Sequence, residues 1–545
     1  MSPLLADLPW LRAALLFAVP LLFTLAALPA FVSSAPAAVW RSARLGAGLA
    51  LAASVLALGW LAFAGPGIWR GPALAGVDAL AGVHLSLRSD ALAHIMLVLV
   101  CFIGWVIAGY SQAYLGGQRG QPRYVRSLML TLAAVTLLVL SNNLLLLVLA
   151  WIGSSLTMHA LLTFFSERPQ ALIAAHKKFL ASRLADVCML GAVALVASQL
   201  GTLEIDQVAA AAQALPAYTT ALQAAVVLFV IAALLKCAQL PVHGWLIKVM
   251  EAPTPVSALL HAGIVNLGGF VVIRLGTLVA DVPLAQALLV VVGGITAVVA
   301  AATMMTRISI KVSLAWSTCA QMGFMLMQCG LGLYELALLH IVAHSLYKAH
   351  AFLTAGTAVE QNRLQQMTPA LPPLGGLAWF TSAVVGVGIV AAAALTLGIR
   401  PSEAPALWAV SAILALALVP LLAGPLLRAG GVWILAGLAA SFVVALVYFG
   451  LHLLFKQWLG APAATHPGLV AFVVGCFVVL FVVQGAVRAR PQGALSRRLY
   501  PWLFAGLYLD EVFTRLTFRV WPARLPAKPA TPQPVVAEVS TPGAL

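Results

Sequence analysis

The chain has 545 residues, 63% of them hydrophobic and only 8% charged, a balance that excludes a water-soluble globular domain and indicates a polytopic membrane protein. Its formal net charge of +15 is dispersed through short connections between apolar runs, so it reports membrane orientation and not a nucleic-acid partner. The six cysteines lie in or beside those runs without CxxC spacing, which argues against a disulfide framework, an iron–sulfur cluster or a Cys-ligated zinc.

With about 20 apolar residues to a span, about fifteen transmembrane helices are expected, at 9–32, 43–65, 90–113, 125–141, 143–165, 178–200, 219–240, 254–279, 283–304, 309–331, 333–357, 374–398, 404–427, 431–455 and 467–488. The first lacks a basic leader and is long enough to span, so it reads as a retained helix. Connections after odd-numbered spans are rich in cations, among them Arg41, Arg44, Arg119, Arg123, Arg126, Arg168, Lys177, Lys178, Lys248, Arg307, Arg363, Arg428, Arg488 and Arg490. Those after even-numbered spans hold little beyond Arg70, Arg88, Arg400 and Lys456. The asymmetry predicts an odd number of spans, with the N-terminus periplasmic and the C-terminus cytoplasmic. Residues 498–526 mix aromatics with Arg on a helical period and are expected on the membrane surface, followed by a flexible tail. No GxGxxG or GxxxxGK[ST] loop occurs to hold a dinucleotide or ATP, so no cofactor is expected and energy would come from an ion gradient or a partner.

A charge near the bilayer centre costs at least about 2.5–3.5 kcal/mol, so each intramembrane ionisable group needs an explanation. The stretch LLKCAQLPVHGWLIKVMEAPTPVSALLHAG (234–263) is the densest in such groups. Lys236 closes a long apolar run, and Pro241 removes a backbone donor five residues later, predicting a broken helix beside a lysine. Lys248, beside EAPTP, reads as a loop charge. His261 lies about two turns inside the next span, where Thr254 is expected to cap and Pro255 suits the first turn. In LYELALLHIVAHSLYKAHAFL (333–353), His340, His344 and Lys348 follow at i, i+4 steps along one helix face, a proton-relay pattern. The HxxxH spacing also suits zinc, but the glutamate of HExxH and a third ligand are missing, so no metal is expected. Arg183 and Asp186 are spaced to pair with each other, and Asp186 is equally suited to be the counter-ion of Lys236. Lys311 begins the tenth span, and Arg400, beside two prolines where the twelfth ends, repeats the charge-and-proline arrangement five spans on.

These residues resemble a known family. The 234–263 stretch, RISIKVSLAWSTCAQMGFM (307–325) and LLHIVAHSLYKAHAFL (338–353) are similar to the antiporter-like membrane subunits of respiratory complex I and of Mrp-type cation antiporters. The resemblance implies an all-α fold with two inverted five-helix repeats, each holding a broken helix. It divides the chain into N-terminal helices (1–113), a first repeat (114–279), a second repeat (280–427), C-terminal helices (428–488) and a cytoplasmic segment with its tail (489–545). It also implies a proton path through Lys236, His261, Lys311, His340, His344 and Lys348, supported by Asp186. One position departs from the family: Ile152 stands where a glutamate after Trp151 pairs with the broken-helix lysine.

The wording of AWIGSSLTMHALLTFF, ERPQALIAAHKKFLASRLADV, MEAPTPVSALLHAGIVN and AHSLYKAHAFL is most similar to the membrane subunits of bacterial inorganic-carbon accumulation complexes. That resemblance implies a non-enzymatic, proton- or sodium-conducting subunit in the bacterial inner membrane. Its expected partner is a zinc-containing, carbonic-anhydrase-like subunit that carries the carbon chemistry. Three alternatives stay open: a subunit of a respiratory NADH dehydrogenase or membrane hydrogenase, a self-contained cation/proton antiporter, and an anchor with inert charges.

Overall fold

Backbone groups in hydrocarbon have no water to bond, so each apolar run must satisfy its own N–H and C=O groups and folds as a helix. The computed structural model describes residues 9–73, 84–367, 375–400, 405–426, 431–459 and 465–521. In chain order α1 (Pro9–Ala27), α2 (Pro29–Val32), α3 (Pro36–Ala64), α4 (Ala91–Tyr114), α5 (Gln121–Leu140), α6 (Leu144–Leu162) and α7 (Pro169–Leu200) are followed by the short α8 (Ile205–Gln213). Next come α9 (Thr220–Lys236) and four fragments, α10 (Gly244–Lys248), α11 (Thr254–Ala262), α12 (Leu267–Arg274) and α13 (Gly276–Ala280). The second half comprises α14 (Pro283–Met304), α15 (Ile310–Gly330), α16 (Tyr334–Leu353), α17 (Ala358–Met367), α18 (Gly376–Thr396), α19 (Pro405–Leu426), α20 (Gly431–Leu459) and α21 (Pro467–Ala489). Two amphipathic helices, α22 (Ala494–Phe504) and α23 (Leu509–Val520), follow.

Among the described residues thirteen helices are long and apolar enough to cross a membrane. The 17-residue α9 and the more polar α15, with Lys311, Gln321 and Gln328, occupy the remaining two expected spans. One departure from an all-helical chain is a hairpin of β1 (Gly67–Ala73) and β2 (His84–Ser89), antiparallel, with Trp69 opposite Leu87. Its six-residue HLSLRS alternation is too short to stand out beside 20-residue apolar runs.

Two breaks shape the centre. After Lys236 the chain leaves the helix, Ala238 takes a φ of 52°, and the helix resumes only at Gly244. The freed backbone groups find side-chain partners: Gln239 Nε2 donates to Cys237 O (2.8 Å) and Leu240 N to Thr296 Oγ1 (3.2 Å). The second break lies within the expected single span 254–279, where Gly263 leaves helical geometry and a 3-10 turn joins α11 to α12. Here Asn266 Nδ2 donates to Ala262 O (3.0 Å) and to Ser345 Oγ on α16 (2.8 Å). The Arg400 segment is built differently, because it joins α18 and α19, two helices that are each long enough to span.

Helices α4 to α7, α9 and the α11–α12 fragments share one buried apolar core with α15 and α16. A second core joins α18, α19, α20 and α21 to the outer faces of α14, α15 and α16. Helices α14 and α15 touch backbone to backbone: a Cβ added at Gly293 would lie 2.6 Å from Gly323 O.

The segment expected on the membrane surface makes specific contacts with the rest of the protein. Asp510 of α23 lies 2.5 Å from Lys177 Nζ and 3.6 Å from Lys248 Nζ, and Trp521 stacks on His176 at 4.4 Å. Arg307 donates to Leu503 O of α22 at 3.0 Å. The expected tail beyond residue 521, and the Arg428 connection, fall outside the described residues.

Candidate functional site

Each break carries a cluster of protonatable side chains. At the first, Lys236 is the last residue of α9 and is buried, its ammonium 4.2 Å from the centre of the Trp151 ring on α6. This is a cation–π contact in a desolvated setting, where such contacts are strongest. Ile152 is half-buried beside Trp151, so α6 offers an aromatic face to the lysine and no carboxylate. The carboxylate comes from α7: Asp186 is buried and 2.7 Å from Arg183 Nη2. The i, i+3 pairing read from the sequence therefore forms.

A further cation joins this cluster. Lys178, counted above only as a connection charge, is buried on α7, and its ammonium donates to Ser155 O (2.8 Å) and Ser155 Oγ (3.0 Å) on α6. Arg183 Nη2 reaches the same hydroxyl at 3.2 Å. Lys178, Arg183 and Lys236 thus gather near one carboxylate, Asp186. Like charges in a desolvated cluster repel, so its protons compete for occupancy. The sequence signal for Lys178 was its place eight residues before Asp186 on a span-length helix, obscured because the adjacent Lys177 pairs elsewhere, with Asp510.

At the second break His261 is fully buried on α11, two residues before Gly263, and its ring stacks on Phe352 of α16 at 4.5 Å. Lys348, one turn earlier on α16, is buried and donates to Ser317 Oγ (2.7 Å) and Leu314 O (3.1 Å) of α15. His344 is buried and His340 half-buried, their ring centres 6.0 Å apart. The expected i, i+4 stripe is therefore one continuous face. Thr254 does not cap α11, which begins with Thr254 as its first residue. Its Oγ1 instead accepts from Lys311 Nζ at 2.9 Å, which brings Lys311 to the first turn of the His261 helix. Lys248 sits on α10 and not in a loop, half-exposed, facing Asp510.

The structure thus brings Asp186, Arg183 and Lys236 together at one break, and His261, His340, His344, Lys348 and Lys311 around the other. The α12 fragment packs against α9, α15 and α16 and connects the two groups. Arg400 stands apart, exposed just past the end of α18. Outside both groups, Asp90 caps α4 through Ala93 N (2.8 Å) and receives both Arg274 nitrogens, at 2.5 and 3.2 Å. That pair fastens the end of the broken helix α11–α12 to the start of α4.

Comparisons with known proteins give the same outline. Residues 141–402 match the family described as NADH:quinone oxidoreductase/Mrp antiporter, TM, and residues 79–125 match NADH-Ubiquinone oxidoreductase (complex I), chain 5 N-terminus. Over 533 residues the chain is 40% identical to "Probable inorganic carbon transporter subunit DabB" of Hydrogenovibrio crunogenus, covering 96% of this chain and 97% of that one. The chain belongs to the DabB family. A second relative, DabB2 of Halothiobacillus neapolitanus, is 40% identical over 465 residues, 84% of this chain and 83% of its own. Among solved structures, the Mrp complex from Dietzia sp. DQ12-45-1b aligns with a TM-score of 0.62 at 26% identity, covering 94% of this chain and 59% of that one. DabB is thus a helical membrane protein of the antiporter-like group, and Ile152 and Lys178 are features of its first break in this chain.

Proposed function

We propose that this subunit passes protons through the bilayer and couples their flow to inorganic carbon accumulation by a zinc-containing, carbonic-anhydrase-like DabA-type partner. The observation that carries this reading is the placement of buried protonatable groups at both helix breaks, Lys236 at one and His261 with His344 and Lys348 at the other. Ammonium and imidazole groups accept and release protons, whereas a sodium path needs a series of oxygen ligands. The nitrogen-rich lining therefore supports protons over sodium.

The relay would run through Lys236, His261, His340, His344 and Lys348, with Lys311 and Asp186 adjusting charge at its ends. Arg183 acts through Asp186, and the exposed Arg400 is at most an entry group. The two repeats are assigned to 114–279 and 280–427, between N-terminal helices at 1–113 and C-terminal helices at 428–488. The cation asymmetry supports a periplasmic N-terminus and a cytoplasmic C-terminus, in a protein of the bacterial inner membrane on this reading. Each elementary charge moved gains about 2.3 kcal/mol per 100 mV, enough to bias a bound partner between two states.

The test is Lys236→Ala, in the assembled complex, in a host that needs imported inorganic carbon to grow. Growth should be lost while the complex still assembles. Unchanged growth would remove Lys236 from the mechanism. Co-purification with flavin or iron–sulfur subunits in place of the zinc protein would move the chain to a respiratory role.

A further inference from the structure

The relay reading ends at His340, yet a second ionisable pair lies beyond it on the same helix. Glu335, in the first turn of α16, and His452 of α20 are both almost fully buried, with Oε1 and Nδ1 3.3 Å apart. At 1.5 Å per residue, Glu335 is roughly 20 Å along α16 from Lys348. Replacing such a pair by apolar residues is often neutral or stabilising, so burial of two ionisable groups here is poor evidence for a stability role.

A cavity of about 570 Å³ near α22 contains none of these groups, but one of about 520 Å³ lies between α15, α16 and α20. His340 and His344 line this second cavity from α16, Gln321 and Gln328 from α15, and Tyr448 from α20. Gln328 Oε1 and Tyr448 Oη are buried without a hydrogen bond to the protein, and such groups are ordinarily satisfied by water, for which the cavity has ample room. Tyr448 is one helical turn from His452, and the cavity-lining Leu336 follows Glu335 directly. The cavity therefore reaches from the relay histidines to the edge of the pair.

We propose that Glu335 and His452 form the terminal proton-binding station of the relay, reached from His340 through water held in this cavity by Gln321, Gln328 and Tyr448. A proton on the His340 imidazolium passes along water to the Glu335–His452 pair, leaving His340 neutral. The pair then releases it beyond the N-terminal end of α16. The station supplies in the second half of the chain a buried carboxylate of the kind missing at Ile152 in the first. This inference rests on the proton-relay reading above.

Two variants test it in the assembled complex, in the carbon-dependent host, beside Lys236→Ala. Glu335→Gln keeps the shape of the side chain, and the double variant Glu335→Met/His452→Leu removes both ionisable groups while preserving packing. Both should accumulate and assemble as the parent does, and both should lower inorganic carbon accumulation by ~10-fold or more, while Glu335→Asp retains part of it. Parental accumulation by the double variant, with Lys236→Ala inactive, would overturn the station and leave the relay standing. If Lys236→Ala is also active, the relay itself fails and the station with it.

Discussion

The ammonium of Lys236 points at the face of Trp151 on α6, 4.2 Å from the ring centre. A ring quadrupole stabilises the ammonium without offering it a proton acceptor. Lys236→Arg separates these roles, because guanidinium keeps the aromatic contact but does not give up its proton. The expected outcome is an assembled complex that no longer supports carbon-dependent growth. Full growth with arginine would show that proton release at this position is not required.

Ser155 serves two cations at once, Lys178 and Arg183. Ser155→Ala removes a hydrogen bond to each, and a bond to a charged group contributes about 1.5–3 kcal/mol. The detergent-solubilised protein should unfold several degrees lower, and transport should fall because Lys178 shifts against Lys236. A melting temperature equal to that of the parent would mean that water replaces the hydroxyl freely.

Arg274 and Asp90 join α12 to α4 through two hydrogen bonds, with the arginine side chain 3% and the carboxylate 19% exposed. Removing one member of such a pair typically costs about 3–5 kcal/mol, whereas removing both costs less. Arg274→Leu should therefore destabilise strongly, and adding Asp90→Asn should recover part of the loss. Thermal unfolding of the four species gives the coupling directly, and additive effects would contradict it.

The polar end of α6 carries a pH-dependent clasp. Asn142 donates to Asp206 (2.7 Å) and Glu204 (2.9 Å), and Arg70 pairs with Asp206. Burial raises the Asp206 carboxyl, but the hydrogen bonds from Asn142 and Arg70 and the charge of Arg70 outweigh it and hold the group below its ordinary value. A lowered carboxylate contributes stability that is complete above its unfolded value and is lost as the pH falls through its folded value. The melting temperature should therefore drop on acidification below about pH 4, and Arg70→Met should make that drop smaller. An identical acid profile for the variant would remove Arg70 from the clasp.

The apolar helices were legible because hydrocarbon demands long apolar runs, and the break after Lys236 because Pro241 cannot donate. The break at Gly263 was not, since a lone glycine in an apolar run is common in membrane helices and the partner that satisfies the bend, Ser345, is 79 residues from Asn266. Lys178 was mistaken for a surface cation because charge counting treats both lysines of HKK alike, although one faces Asp510 and the other Ser155. Thr254 looked like a cap because capping is a local rule, and Lys311 reaches it from 57 residues away. What escaped the sequence in each case was a contact made between distant segments.

The contact of Lys177 with Asp510 spans 333 residues. At about 5–20 residues per second of synthesis, the lysine on α7 emerges roughly 20–60 s before the aspartate that neutralises it. During that interval the first half of the protein holds a cation that burial would penalise, and α7 has reason to stay near the membrane surface. Completion of α23 then supplies the carboxylate that neutralises Lys177, so a chain cut short before residue 510 would leave a buried ammonium on its sixth span without its partner.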